Sequence, residues 1–295
     1  MLGAIIGDMV GSRWEFNPTN DYNFEWLMPF RGLYGPDLSN VHDIESAMRP
    51  PKRKRLEKND FTDDTICTIG VADALLTDRD FGEAIHDWCN RYPHPMGGYG
   101  GRFAQWVQSE HPQPYNSFGN GAAMRVSPVA HWYEYLDETL DAAAATAMPS
   151  HNHPEGIKGA QTVALAIFRA LQLKCQNREA AQHIDEILKE CVEFSGYDIN
   201  IKKETVVNRF DETCQGTVPV ALWVIGQSSS FEDSVRKAVS LGADADTLGA
   251  IVGSIAEAIW GIPKEMKLQA LEYLPSDMKE VVTRFYSRYI KDELW

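Results

Sequence analysis

Two short acidic clusters hold the most concentrated chemistry in the sequence. The first is Phe61-Thr62-Asp63-Asp64-Thr65, directly ahead of the apolar run Ile66 to Leu76. Thr62 or Asp63 could simply cap that helix, accepting its orphan backbone N–H groups while the second carboxylate sits at the positive end of the dipole. Capping accounts well for one aspartate. It accounts less well for two in a row between threonines, because adjacent like charges repel unless a cation lies between them. The second cluster, Gly242-Ala243-Asp244-Ala245-Asp246-Thr247-Leu248-Gly249, opens the small-residue helix Ile251 to Trp260. Residues two apart do not face each other on a helix, so Asp244 and Asp246 converge only if the loop and first turn bend around a shared ligand. Jointly the clusters offer four carboxylates and two or three hydroxyls, an oxygen set that suits Mg²⁺ or Mn²⁺ better than zinc. Two divalent ions would offset the four carboxylate charges, and one ion is the alternative.

Several glycine-bearing segments and a histidine pair surround these clusters in sequence. Gly3, Gly7 and Gly11 recur at four-residue spacing and put a bare stripe on one helix face, with Glu15 one turn beyond. A stripe of this kind more often means close helix packing, and a lone glutamate is more often solvated. Gly97-Gly98-Tyr99-Gly100-Gly101-Arg102-Phe103 and Ser117-Phe118-Gly119-Asn120-Gly121-Ala122-Ala123-Met124-Arg125 are glycine-rich runs leading into helices. Such loops can present backbone N–H groups to phosphates beside a stacking ring, with an ordinary turn as the competing reading. Ser150-His151-Asn152-His153-Pro154-Glu155-Gly156 opens a long helix, where His-x-His could ligate a metal or could equally cap the helix and support neighbours by hydrogen bonds.

These residues need a scaffold, and the rest of the chain reads as helices joined by loops. Apolar residues recur at three- and four-residue spacing over 64–76, 81–91, 101–108, 138–147, 154–173, 180–194, 218–225, 231–241, 246–260 and 277–290. Ser230 ahead of Phe231, with Asp233 three residues on, reads as an N-cap, and Pro263 can open a short helix over 262–271. Alternating β-branched runs are scarce. Thr205-Val206-Val207 is the best strand candidate and is too short to carry a sheet. The expected fold is therefore all-α, one compact helical domain over 1–295 with a long, largely irregular connection at 16–60 that contains five prolines. A hydrophobic content of 44% excludes disorder as the main state. The net charge of −14 argues against nucleic acid or an anionic membrane as partner, and the basic run Lys52-Arg53-Lys54-Arg55 reads as a solvated loop. The five cysteines are scattered with no Cys-x-x-Cys pair, so neither disulfides nor a zinc knuckle are expected and a cytoplasmic location fits. Met1 to Asp8 lacks a basic n-region and is not expected to act as a signal peptide. No stretch reaches the roughly 18 apolar residues of a membrane span.

Taken in order, Gly-Asp-x-x-Gly-x-x-x-Glu at 7–15, Phe-Thr-Asp-Asp-Thr at 61–65, Gly-Asn-Gly-Ala-Ala-Met-Arg at 119–125, His-x-His-Pro-Glu-Gly at 151–156 and Gly-x-Asp-x-Asp-Thr at 242–247 resemble the ADP-ribosylglycohydrolase family. That family includes the dinitrogenase-reductase-activating glycohydrolases and the ADP-ribosylhydrolases. The resemblance runs from Gly3 to about Pro263, and five ordered motifs are far more specific than any one. It implies an all-α bundle with two Mg²⁺ or Mn²⁺ ions in a cleft, acting as a monomer that removes ADP-ribose from a protein side chain or small molecule by cleaving the glycosidic bond at the distal ribose. Under that resemblance Thr62, Asp63, Asp64, Asp244, Asp246 and Thr247 are the metal ligands. Glu15, in a mobile loop, and Asp64 are the catalytic carboxylates. Gly101, Ser117, Phe118, Gly119, Asn120 and His151 fall where members contact ADP-ribose. One departure is Gly242-Ala243 where many members have Gly-Gly, a change small enough for the site to tolerate. A binuclear phosphoester hydrolase would use the same paired cations but would not need Glu15 or the Gly119-Asn120-Gly121 segment. A non-catalytic ADP-ribose-binding or structural relative would be expected to have lost metal ligands, and none is lost here.

Overall fold

The structure, a computed structural model, describes residues 1–27 and 59–288. The basic run at 52–55 and most of the expected 16–60 connection lie outside the described residues; the part within them, 16–27, is irregular. Helix α1 (Leu2–Gly11) ends in a 3₁₀ turn at Ser12–Trp14. Then follow α2 (Asp63–Thr77), α3 (Phe81–Arg91), α4 (Gly101–Gln108), α5 (Gly121–Met124), α6 (Ser127–Trp132), α7 (Leu136–Ala147) and α8 (Pro154–Cys175). After these come α9 (Ile184–Ser195), α10 (Cys214–Gly226), α11 (Phe231–Val239), α12 (Ala245–Trp260), α13 (Lys264–Tyr273) and α14 (Ser276–Ser287). Among the described residues every regular element is helical, and extended pairing is confined to an isolated antiparallel bridge between Gly119 and Thr213.

Local chemistry fixes where several helices start. Thr62, Asp80, Thr213 and Ser230 each accept a hydrogen bond from a backbone N–H in the first turn of the helix they precede, satisfying a donor that has no partner inside the helix. His153 does the same for α8 through Nδ1, with Pro154 at the first helical position. His153 is thus a cap in this fold. Elsewhere local signals mislead. The continuous helix expected over 180–194 is broken: a 3₁₀ turn at Ala180–Gln182 precedes α9, and His183 adopts a non-helical conformation between them. The strand candidate at 205–207 is a turn following Lys203–Thr205, its N–H groups bonded locally rather than across strands. Helix α10 begins at Cys214, four residues before the periodicity suggests, and carries Pro219 inside it. Proline costs an i→i−4 bond there, and burial of Val218, Val220, Ala221 and Leu222 outweighs it.

At the centre lies α12, buried along almost its whole length and packed by α1, α8, α10 and α11. Its contact with α1 has a strict register. A Cβ at Gly3 would lie 2.2 Å from the Gly253 carbonyl oxygen, one at Gly7 1.9 Å from that of Gly249, and one at Gly11 2.2 Å from that of Ala245. The paired numbers run in opposite directions at four-residue steps, so the helices are antiparallel with their backbones in direct contact. Glu257 pins the far end. It accepts from the buried α-amino group of Met1 (2.7 Å), from Gly3 N (2.8 Å) and from the Tyr286 hydroxyl, which in turn accepts from Leu2 N (2.8 Å). The N-terminus of α1 is thereby tied to both α12 and α14.

Because backbone lies on both sides of the contact, neither helix can yield to an added methyl group by a rotamer change. Gly7→Ala should destabilise the protein by at least the upper end of the overpacking range, about 3 kcal/mol. A thermal melt should therefore show a midpoint lowered by roughly 6 °C or more, or no soluble protein. A midpoint equal to that of the unsubstituted protein would refute the contact.

Candidate active site

The antiparallel register brings the C-terminal end of α1 next to the N-terminal end of α12, and α2 starts between them. Asp8, near the end of α1, is fully buried and accepts four hydrogen bonds from the start of α2: Thr62 N (3.0 Å), Thr62 Oγ1 (2.8 Å), Thr65 N (3.1 Å) and Thr65 Oγ1 (2.5 Å). Asn59 donates to the carbonyls of Met9 and Val10, and Asp60 N donates to Ser12 Oγ, so the chain entering α2 is bound along α1. This fixes Thr62, Asp63 and Asp64 against the end of α12. The junction between the clusters is a hydrogen bond from Thr247 Oγ1 to Asp64 Oδ2 (3.2 Å), 183 residues apart in sequence.

The two acidic segments therefore come together, and among the described residues Asp244 and Asp246, with Glu15 and without Asp63 or Asp64, form the group of three acids close enough to share a cation. Asp64, Asp244, Asp246, Thr62 and Thr247 are buried, and Asp63 is half-buried beside them. Asp64 Oδ1 and Asp246 Oδ1 are buried with no hydrogen-bond donor among the described residues. Glu15 leaves the 3₁₀ turn after α1 and folds back over the cluster: one carboxylate oxygen each from Glu15, Asp244 and Asp246 lie within 4.8 Å of one another, close enough to hold one cation jointly. Uncompensated carboxylate oxygens in a dry site call for a proton or a cation, and the all-oxygen donor set is of the kind that hard divalent ions take.

The loop ahead of α5 supports this cluster. Asn120 Nδ2 donates to Asp244 Oδ2 (2.7 Å) and to Thr217 Oγ1 (3.1 Å). Its N–H donates to Glu212 O (2.7 Å), and the neighbouring Phe118 carbonyl accepts from Cys214 N (2.9 Å), which seats the loop on the start of α10. Asn120 thus orients a carboxylate. Gly119 N donates to Ser117 Oγ (3.1 Å), and the Phe118 ring stays 44% exposed, edge-on to His153. Gly101 opens α4 at the surface. His151 is buried over the glycines of the loop, its Nε2 only 2.9 Å from where a Cβ at Gly121 would stand. Its Nδ1 meets Ser150 Oγ (2.8 Å), and that oxygen also accepts from Arg125 Nη2 (2.8 Å). Among the described residues the buried Arg125 guanidinium otherwise donates only to the Thr146 carbonyl and meets no carboxylate. Beside the site, a cavity of about 370 Å³ reaches from Asp244 and Thr217 towards Tyr197 and Ile201 and leaves room for a ligand.

Burial with little compensating charge pushes these acids towards their neutral forms. Desolvation raises Asp8 and Asp244 to about 6 and Asp63 to about 7. Glu15 rises to about 8, through burial first and then the nearby Asp244 and Asp63 charges. Asp64 and Asp246 are held well above the ordinary carboxylate range, by burial and then by Asp8 and Asp244 respectively. His151 is kept neutral, by burial and then by Arg125. Asp8, Arg125 and Gly97, whose place is described below, were not assigned roles by the sequence. Asp8 carried a usable signal, as the one charged residue in an otherwise apolar first helix.

The chain matches the ADP-ribosylglycohydrolase family over residues 1–294, and it belongs to that family. It is 25% identical to the ADP-ribosylhydrolase ARH3 of Bos taurus over 89% of this chain and 84% of that protein. To the ADP-ribosylarginine hydrolase Tri1 of Serratia proteamaculans it is 22% identical, over 90% of this chain and 72% of the relative. A solved structure described as an ADP-ribosylglycohydrolase-related protein complex superposes with a TM-score of 0.62 at 23% identity, covering 98% of this chain and 96% of the other, which establishes the common fold. Among the described residues no helix is long and apolar enough to cross a membrane.

The raised acids set a pH dependence. Each holds a proton in the fold at a pH where the unfolded chain, with its carboxyls near 4, has lost it, so folding takes protons up. Stability without divalent ions should then fall as pH rises from about 4, the unfolded value, through the folded values of about 6 to 8 that Asp8, Asp244, Asp60, Asp63 and Glu15 set. His131, depressed to about 3 by burial, and the neutral His151 oppose this only below about 6.5, where the unfolded chain would protonate them. The Met1 α-amino group, lowered by burial from its usual value near 8, is a single opposing group within the interval, outnumbered by the acids. Melting midpoints in EDTA should therefore be higher at pH 6.5 than at pH 8, and a flat or rising profile over that interval would contradict the site's electrostatics.

Proposed function

We propose that this member of the ADP-ribosylglycohydrolase family hydrolyses an ADP-ribose conjugate, a modified protein side chain or a small molecule, at the anomeric carbon of the distal ribose, with two Mg²⁺ or Mn²⁺ ions as cofactors. The observation that carries this reading is the convergence of the acidic segments at 62–64 and 244–247, with Asp64 Oδ1 and Asp246 Oδ1 buried and lacking donors. Those orphan oxygens and the surrounding hydroxyls fit hard divalent ions, which Thr62, Asp63, Asp64, Asp244, Asp246 and Thr247 would hold. When bound, such ions would orient ribose hydroxyls and make a water more acidic.

The chain's own groups divide the remaining work. Departure of the acceptor leaves oxocarbenium-like positive charge on the ribose, and a site lined by carboxylates favours that charge. Glu15 and Asp64 are the carboxylates we assign to the chemical step. Glu15, half-buried and folded over the acidic cluster, is placed to give or take a proton at the scissile linkage. Asn120 keeps Asp244 aimed at the cluster. We assign Ser117, Phe118, Gly119 and the start of α4 at Gly101 to the wall that would take ADP-ribose, with the exposed Phe118 ring suited to stack on a base. The buried, neutral imidazole of His151 adds a polar nitrogen to that wall without adding charge. The relatives' names support an ADP-ribose linkage; that of Tri1 specifies arginine as the acceptor and that of ARH3 specifies none.

A release assay run side by side on arginine-linked ADP-ribose, serine-linked ADP-ribose and a phosphomonoester, with Mg²⁺ and with EDTA, tests the reading. Free ADP-ribose should appear with Mg²⁺ and not with EDTA. Phosphate release without ADP-ribose release would favour the phosphoester alternative. Asp63→Asn and Asp246→Asn should each abolish hydrolysis while the helical circular dichroism persists. Glu15→Gln should lower kcat by a factor on the order of 10²–10⁴ with the dissociation constant for ADP-ribose little changed. A loss of affinity in proportion to activity would make Glu15 a binding residue.

A further inference from the structure

Resting on the role just given to Glu15, we infer that Gly97 is the seat of that carboxylate: the missing side chain at 97 leaves the space in which Glu15 closes over the acidic cluster. The loop between α3 and α4 passes over the end of the 3₁₀ turn that carries Glu15. A Cβ at Gly97 would stand 2.6 Å from Glu15 Oε2, 3.5 Å from Cδ and 3.7 Å from Oε1, and its three nearest neighbours are all Glu15 atoms. The obstruction would thus fall on the movable end of a side chain and on no backbone. An added methyl group would therefore displace the Glu15 carboxylate, in addition to the strain that a side chain brings to left-handed backbone. Restoring ordinary contact requires a shift of roughly 1 Å, comparable to the misplacements that cost about 10²-fold when a reacting group is involved. The space serves Glu15 specifically, because the same carboxylate has an oxygen within 4.8 Å of oxygens of Asp244 and Asp246. Gly97 thus acts as a positioning residue.

The neighbouring glycine provides a matched control. Gly97 and Gly98 both adopt left-handed backbone, with φ of +78° and +82°, but a Cβ at Gly98 meets nothing within 4 Å. Alanine at either position therefore carries the same kind of backbone strain, and only alanine at 97 meets Glu15.

The test is a double-mutant cycle on ADP-ribose release, with crystal structures of both alanine variants. Gly97→Ala should lower kcat by a factor on the order of 10² with KM little changed. Combined with Glu15→Gln it should be no slower than Glu15→Gln alone, since the group it displaces has already lost its function. Gly98→Ala, whatever its own effect, should multiply with Glu15→Gln. The crystal structures should show the Glu15 carboxylate withdrawn from Asp244 and Asp246 in Gly97→Ala and in place in Gly98→Ala. Overturning results would be a Gly97→Ala enzyme within twofold of the unsubstituted rate, effects of Gly97→Ala and Glu15→Gln that multiply, or an unmoved Glu15 carboxylate. A fully active Glu15→Gln would instead defeat the acid–base role proposed for Glu15, and the position of that carboxylate in Gly97→Ala would still decide whether Gly97 is its seat.

Discussion

The direct backbone contact between α1 and α12 is the constraint on which the rest of this molecule depends. Gly3, Gly7 and Gly11 meet Gly253, Gly249 and Ala245 in one antiparallel register, and no other residue type fits at the tightest of these points. Helix packing through ordinary side chains holds axes 8–10 Å apart and tolerates sliding. Packing through bare glycine faces removes that slack. The consequence is positional: Asp8 and Glu15, at one end of α1, are delivered to Asp244 and Asp246, at the start of α12, by helices that cannot shift along each other. Glu257 completes the arrangement at the opposite end by binding the start of α1.

That rigidity has an electrostatic purpose, because the site it assembles is costly to bury. Asp8 is compensated by four donors from α2 and Asp244 by the amide of Asn120, whereas Asp64 and Asp246 each keep a bare buried oxygen. The division is informative. Asp8, which holds the frame, is saturated with hydrogen bonds, whereas buried acid oxygens left without a donor among the described residues call for a proton or a ligand of opposite charge. Arg125, buried and without a carboxylate partner among the described residues, favours the charged form of Asp63.

The sequence by itself determined a good deal. Helical periodicity and the scarcity of β-branched alternation gave the all-α class, and the caps at Thr62 and Ser230 stand where their residue types suggest. The acidic clusters were legible as candidates because two adjacent aspartates, and an Asp-x-Asp between glycines, are poorly explained by capping alone. The helix break at His183 and the early start of α10, which Thr213 caps, were not legible in apolar periodicity, which registers neither a cap nor a single non-helical residue.

Tertiary structure alone decided which of these parts belong together. Nothing in residues 62–64 specifies that Thr247, 183 positions on, will donate to Asp64. Each glycine stripe can be read from its own spacing, but that the two stripes are each other's partners follows only from the packed register. Asp8 and Asn120 were visible as residue types within motifs, yet their work is to orient other side chains, and such a role exists only once those side chains are in place. Gly97 is the extreme case. Its contribution is an empty volume, and an empty volume acquires meaning only from the carboxylate that fills it.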